Sequence, residues 1–273
     1  MVGARGFEPP TSCSQSKCAT RLRHAPIEDF RGFYANPPGP ARFGARPLTP
    51  PFGLRIFPHM CNLYSYTRSQ EEAARIYRAL YDDVGNLAPL PAVFPDQLAP
   101  VIRAARDGER QLTMMRWGFP KPPGTGPGVV TNIRNTSSPY WRDWLQPRFR
   151  CLVPATSFCE YTDARPKLPH WFALGPERPI FAFAGIWRMW TGERKKVPGE
   201  HRLYAFLTAA PNTIVRPVHA KAMPVMLTTA EECDAWLNAP IDEALALQRP
   251  LPPEMLQIVA TGGREDPALV EFV

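Results

Sequence analysis

The chain has 273 residues, 44% of them hydrophobic, which is enough to bury a sizeable core in one domain or in one domain with an appendage. Its longest apolar run, Ile180 to Trp187, falls far short of the ~20 residues a helical crossing needs, so no membrane role is expected. Most of the net charge of +7 sits in front: residues 1–59 hold eight basic and three acidic residues, leaving 24 and 22 for 60–273, so bulk charge argues little for nucleic-acid binding by the folded part.

Residues 1–59 contain ten of the 34 prolines and no sustained apolar period. Such a stretch buries too little surface to offset the entropy of ordering it, and disorder is expected there. Gly6-Phe7-Glu8-Pro9 back-translates to GGN-TTY-GAR-CCN, which can spell GGTTCGAACC, the palindrome-like core of a tRNA T-arm. The expectation is that 1–59 is a mis-assigned extension and that translation starts at Met60. No charged-then-apolar export signal precedes it. Cys13, Cys18, Cys61, Cys151, Cys159 and Cys233 therefore read as reduced thiols of a cytoplasmic protein.

From Met60 onward the pattern is that of a folded domain over 60–273. Thr67 to Asp83 is predicted as a helix, with Ser69 and Glu72 in a capping-box pattern and Ala73, Ile76, Tyr77, Leu80 and Tyr81 on one face. A Pro/Gly-rich loop at 120–128 interrupts the following strand-like runs. Those runs are Leu112–Trp117, Arg150–Tyr161, Trp171–Leu174, Ile180–Trp190, Leu203–Ala209, Met223–Leu227 and Leu256–Ala260. Thr229 and Glu232 open a second helix carrying Trp236 and Leu237. The expected fold class is α+β, a single domain with a mainly antiparallel β core and flanking helices.

Four stretches carry residues suited to chemistry: Met60-Cys61-Asn62-Leu63, Thr131-Asn132-Ile133-Arg134, Arg150-Cys151-Leu152-Val153-Pro154 running on to Glu160-Tyr161, and Val218-His219-Ala220-Lys221-Ala222-Met223-Pro224. Taken singly, Cys61 reads as a small buried hydrophobe, His219 as a loop histidine and Asn132 as a turn former. Glu160 is harder to explain that way, because an unpaired carboxylate in an apolar strand is costly. No Walker, dinucleotide or metal-hydrolase motif occurs, and neither cofactor nor metal is expected.

In this order, and together with Arg116-Trp117-Gly118-Phe119-Pro120 and Ser138-Pro139-Tyr140-Trp141-Arg142, the stretches resemble the SOS response-associated peptidase (SRAP) family, which processes abasic sites. The resemblance implies that Cys61, once N-terminal, condenses with the aldehyde of an abasic sugar in single-stranded DNA. An α-amine with a pKa of roughly 7.7–8.0 is partly neutral at physiological pH and nucleophilic. The thiol of the same residue then closes a thiazolidine, which only a 1,2-aminothiol can form.

The same resemblance assigns the other roles. Asn132 is expected to orient the cysteine, Glu160 to shuttle protons and assist release of Met60, and His219 to assist opening of the sugar. Arg134 and Lys221 are expected on phosphates, Trp117 stacked on a flanking base, and Thr208 lining the pocket. A monomer is expected. Two departures stand out: Asn62-Leu63 replaces the usual Gly-Arg, removing a cation, and Lys221 replaces an arginine. Two other functions fit the residues less well. One is a cysteine peptidase acting on other proteins with His219 as base, the other a noncovalent single-strand binder built on Trp117.

Overall fold

The computed structural model describes residues 61–267 apart from 82, 83, 106, 107 and 123, so the expected disorder of 1–59 lies outside the described residues. The first helix is shorter than its sequence suggests: α1 covers Gln70–Tyr77. Ser69 caps it by accepting from the Glu72 amide at 3.1 Å. Arg78 stops it by adopting the left-handed conformation, from which its N–H reaches the Ala74 carbonyl. The next three residues do not continue the helix. They form β2 (Ala79–Tyr81), paired in parallel with residues 110–112. Leu80, expected on the apolar face of the helix, is exposed on β2, and Ile76 is exposed within α1.

The remaining strands follow in chain order around β1 (Tyr64–Tyr66). They are β3 (Leu90–Val93), β4 (Leu98–Ala104), β5 (Arg110–Trp117), β6 (Phe119–Pro120), β7 (Val129–Val130) and β8 (Asn132–Ile133). After the short helix α2 (Pro139–Arg142) come β9 (Arg150–Ala155), β10 (Ser157–Tyr161) and β11 (Pro169–Ala173). A long hairpin, β12 (Phe181–Arg194) and β13 (Val197–Ala209), precedes the short β14 (Met223–Pro224) and β15 (Met226–Leu227). The chain continues through α3 (Ala230–Asn238), α4 (Ile241–Ala246) and β16 (Gln257–Thr261). None of the described helices is long and apolar enough to cross a membrane.

Most pairings are antiparallel, as expected, but the sheet that organises the molecule closes through a parallel one. The order β13-β12-β9-β4-β5 returns to β13, where Leu203 and Tyr204 lie beside Arg116 and Trp117. The result is a barrel-like sheet with two faces of opposite character. Strand alternation sends Val101, Met115, Val153, Phe183, Tyr204 and Phe206 inward, into a cluster that also holds Cys61. Ile102, Leu112, Leu152, Ile186, Leu203 and Leu207 face outward and are covered by α1 and α3. Gly185 sits where a side chain has no room, since a Cβ there would lie 2.8 Å from the Cys151 sulfur.

A second, antiparallel sheet of order β16-β11-β10-β1-β3 adds Val93, Tyr64, Phe158 and Phe172 to the inner cluster. Its pairing of Tyr64 with Phe158 and Ser65 with Ser157, continued by the Cys159 amide on the Leu63 carbonyl, carries the residues just ahead of β1 toward the end of β10. A buried carboxylate fixes this register. Asp266 accepts from Ser65 at 3.2 Å and from Ser157, and pairs with Arg178 at 3.0 Å. Removing one partner of a buried pair leaves the other charge uncompensated. Asp266→Ala is therefore expected to destabilise the fold by about 3–5 kcal/mol in urea titrations. The double variant with Arg178→Met should recover part of that loss. Equal stability of Asp266→Ala and the parent would show that the pair is idle.

Candidate functional site

Four of the expected residues come together where the two sheets meet. Cys61 precedes β1, Glu160 lies on β10, Asn132 opens β8, and His219 ends a tight turn after β13. All four are buried. The Asn132 side-chain amide donates to the Cys61 carbonyl at 2.8 Å and to the Thr131 hydroxyl at 2.9 Å. The Cys61 backbone N–H donates to the Glu160 carboxylate. His219 Nδ1 lies 3.8 Å from Glu160 Oε2. The backbone nitrogen of Cys61 thus faces the acid, and its carbonyl is anchored from the other side.

Burial dominates the electrostatics. It pushes the Glu160 carboxyl well above its ordinary range, against the opposing pull of the Cys61 N–H. Burial also pushes the Cys61 thiol up, reinforced by the nearby Glu160 charge. Both groups are therefore held towards their protonated forms. The Cys61 sulfur donates to the Leu63 carbonyl at 3.6 Å. A nucleophile activated as a thiolate needs the opposite shift.

The turn that delivers His219 is built by Asn212, a residue that sequence reasoning missed. Its side-chain oxygen accepts from the amides of Ile214 and Val215, and its amide group donates to the Leu251 carbonyl. The signal was present as an Asx turn after Pro211. Gln248, also missed, ties three segments by bonding the carbonyls of Arg134 and Thr208 and the hydroxyl of Thr136. Nothing local in the sequence marks it. Thr131 was missed too, and its hydroxyl donates to the Asn62 side chain at 3.2 Å.

The expected binding residues divide. Arg134 and Lys221 are exposed, each two positions beyond a site residue, on the segments that carry Asn132 and His219. Thr208 lies on the inward face of β13 with Tyr204 and Phe206, opposite Pro224, and is fully buried. Trp117 requires a correction. Its ring is fully buried, stacked on Phe206 at 5.2 Å and met edge-on by Tyr64 at 5.2 Å, so no face is left for a base. Its indole N–H holds the Thr131 carbonyl at 3.2 Å, which makes it a support for the Asn132 segment. The departure at 62–63 also gains a physical reading. Leu63 is buried against Cys159 and Trp171, where a cation has no place, while Asn62 points outward.

Known proteins share both the sequence pattern and the fold. The family described as SOS response associated peptidase matches residues 60–261. Abasic site processing protein YoqW of Bacillus subtilis (strain 168) is 30% identical over 165 residues, which cover 56% of this chain and 69% of that protein. Abasic site processing protein YobE of the same organism is 28% identical over 165 residues, 56% of this chain and 70% of its own. A solved protein from Bacteroides thetaiotaomicron shares the fold with a TM-score of 0.58 at 23% identity, over 72% of this chain and 90% of its own. One from Bordetella bronchiseptica does so at the same score and identity, over 74% and 98%.

Proposed function

This chain belongs to the SOS response associated peptidase family, and on that premise we propose that it captures abasic sites in single-stranded DNA through Cys61. The observation that carries the reading is the placement of the Cys61 nitrogen against Glu160, with its carbonyl pinned by Asn132. In an internal residue this nitrogen is an amide and inert. Hydrolysis of the Met60–Cys61 bond consumes one water and converts it to an α-amine beside the Glu160 carboxyl. The names of the two Bacillus relatives support the choice of substrate.

The steps then follow from the residues. The neutral amine adds to C1′ of the open-chain sugar, forming a carbinolamine. Glu160 gives a proton to the departing hydroxyl, water leaves, and the resulting iminium returns its N–H proton to the Glu160 carboxylate, so a neutral imine remains. The Cys61 sulfur adds to the imine carbon while its proton passes to the nitrogen, closing the five-membered thiazolidine. Asn132 fixes the orientation of the residue that carries both nucleophiles. His219 stands beside Glu160 to relay protons and to assist sugar opening. Arg134 and Lys221 flank the entrance as phosphate contacts, and Thr208 forms part of the wall.

A peptidase acting on other proteins is less well supported. It needs a thiol with a depressed pKa paired to a base, whereas Cys61 is shifted upward and bonds a carbonyl. The direct test uses the chain begun at Met60 and an oligonucleotide bearing one abasic site. The expected product is a heat-stable one-to-one conjugate whose intact mass lacks Met60 and one water. A conjugate that retains Met60, or that maps to another residue, overturns the proposal.

A further inference from the structure

One basic surface plays no part in the site described above. The segment 139–149, which follows the Asn132–Arg134 stretch, places Trp144 and Phe149 edge to face at 4.8 Å. Phe149 in turn meets Trp187 of β12 at 6.5 Å, so three rings form a continuous row. An arginine lies over each. The Arg188 guanidinium carbon is 4.3 Å from the Trp144 ring, that of Arg148 is 4.8 Å from Phe149, and that of Arg103 is 5.1 Å from Trp187.

Several other arginines are neutralised by carboxylates. Arg110, Arg116, Arg178, Arg194 and Arg249 each pair with a carboxylate. Among the described residues, Arg148 and Arg188 have no acidic partner. Their planes are instead held on aromatic faces, which fixes the side chains; Arg148 is exposed, and Arg188 is half-buried with its Nε–H on the Met189 carbonyl. Arginines held in this way are ordered before binding and lose little rotamer freedom when an anion arrives. A row of them is complementary to a chain of phosphates.

We infer that Arg148 and Arg188, laid on Phe149 and Trp144, form a track for the phosphates of a bound single strand. The inference rests on the reading that the chain engages single-stranded DNA, and it adds where the strand goes. Each phosphate neutralised releases counterions, so the track contributes to the salt dependence of binding and not to the covalent chemistry.

The test separates the two claims. Anisotropy of a long, undamaged single strand is titrated with the full chain over a range of salt concentrations. Crosslinking is followed on a short abasic oligonucleotide that ends beside the lesion, using the chain begun at Met60. The double variant Arg148→Glu/Arg188→Glu should weaken long-strand binding by about tenfold at low salt. It should also flatten the plot of log affinity against log salt by ~0.7 for each phosphate that is no longer neutralised. Crosslinking of the short oligonucleotide should be unchanged. Arg148→Ala alone, at an exposed position, gives a smaller shift of the same sign and guards against misfolding of the double variant. An unchanged salt slope in both variants removes the track. Failure of the parent chain to crosslink the short oligonucleotide, with the slope still altered, removes the covalent reading and leaves the track standing.

Discussion

Cys61→Ala, in a chain begun at Met60, abolishes the heat-stable DNA conjugate. The expected loss is on the order of 10³-fold or more, the size seen when a covalent nucleophile is deleted. The reason is specific to the two nucleophiles of this residue. Alanine keeps the α-amine, so the imine still forms and borohydride should still trap it, but no sulfur is available to close the ring. Cys61→Ser provides the sharper comparison, because its hydroxyl closes only a readily reopened oxygen ring. The ordering expected on denaturing gels is parent far above serine, and serine at or above alanine, with borohydride narrowing all the differences. Unfolding does not explain such a result. Cys61 is one small member of a large inner cluster, and its loss leaves Tyr64, Trp117, Phe183 and Phe206 packed on one another. Undiminished heat-stable conjugate from Cys61→Ala would place the chemistry elsewhere.

The sequence was most legible where information is local. The caps at Ser69 and Thr229 place the starts of α1 and α3, because a hydroxyl accepting from the amide three residues on is a short-range signature. The run Arg150–Tyr161 reads as strand throughout, and the structure divides it at Thr156 into β9 and β10, which belong to different sheets. That division is set by partners far away in the chain. The same is true of Trp117. The family resemblance implies an aromatic stacked on a base, but closure of β5 against β13 encloses it with Tyr204 and Phe206. Parallel pairings such as β5 with β13 and β8 with β13 leave no mark in alternation, since either register of a fully buried strand reads alike.

The site divides along the same line. Cys61, Asn132, Glu160 and His219 are recognisable by residue type and order, whereas Asn212, Gln248 and Thr131 act through bonds between segments that the linear sequence keeps apart. The charged residues show the contrast from the other side. Arg134 and Lys221 are found exposed, on the segments that carry Asn132 and His219. The arginine row on Trp144, Phe149 and Trp187 joins β4, β12 and the segment before β9, so it is invisible until those elements are packed.

Glu160→Gln should move activity and stability in opposite directions. Without a group that gives and takes protons beside the Cys61 nitrogen, conjugate formation is expected to slow by ~10²–10⁴, the range for loss of a positioned acid or base. Stability follows from the shift of the carboxyl. Burial raises its folded-state pKa above the unfolded value of roughly 4.3. The folded chain therefore keeps a proton that the unfolded chain releases. The stabilisation from that proton is complete below the unfolded pKa and is lost as pH rises through the folded one. Glutamine never ionises, so the variant escapes the loss. With an amide at Cys61, the variant should melt higher than the parent at neutral and alkaline pH, and the difference should close below about pH 4. Once Met60 is removed, the α-ammonium lies beside Glu160 and favours its charged form, so the gain in stability should shrink in the processed protein. Melting curves of unprocessed and processed chains across pH, set beside conjugation rates, read out both effects. A variant that is slower because it is less stable would show the two falling together, and that outcome would remove Glu160 from the proton-transfer role.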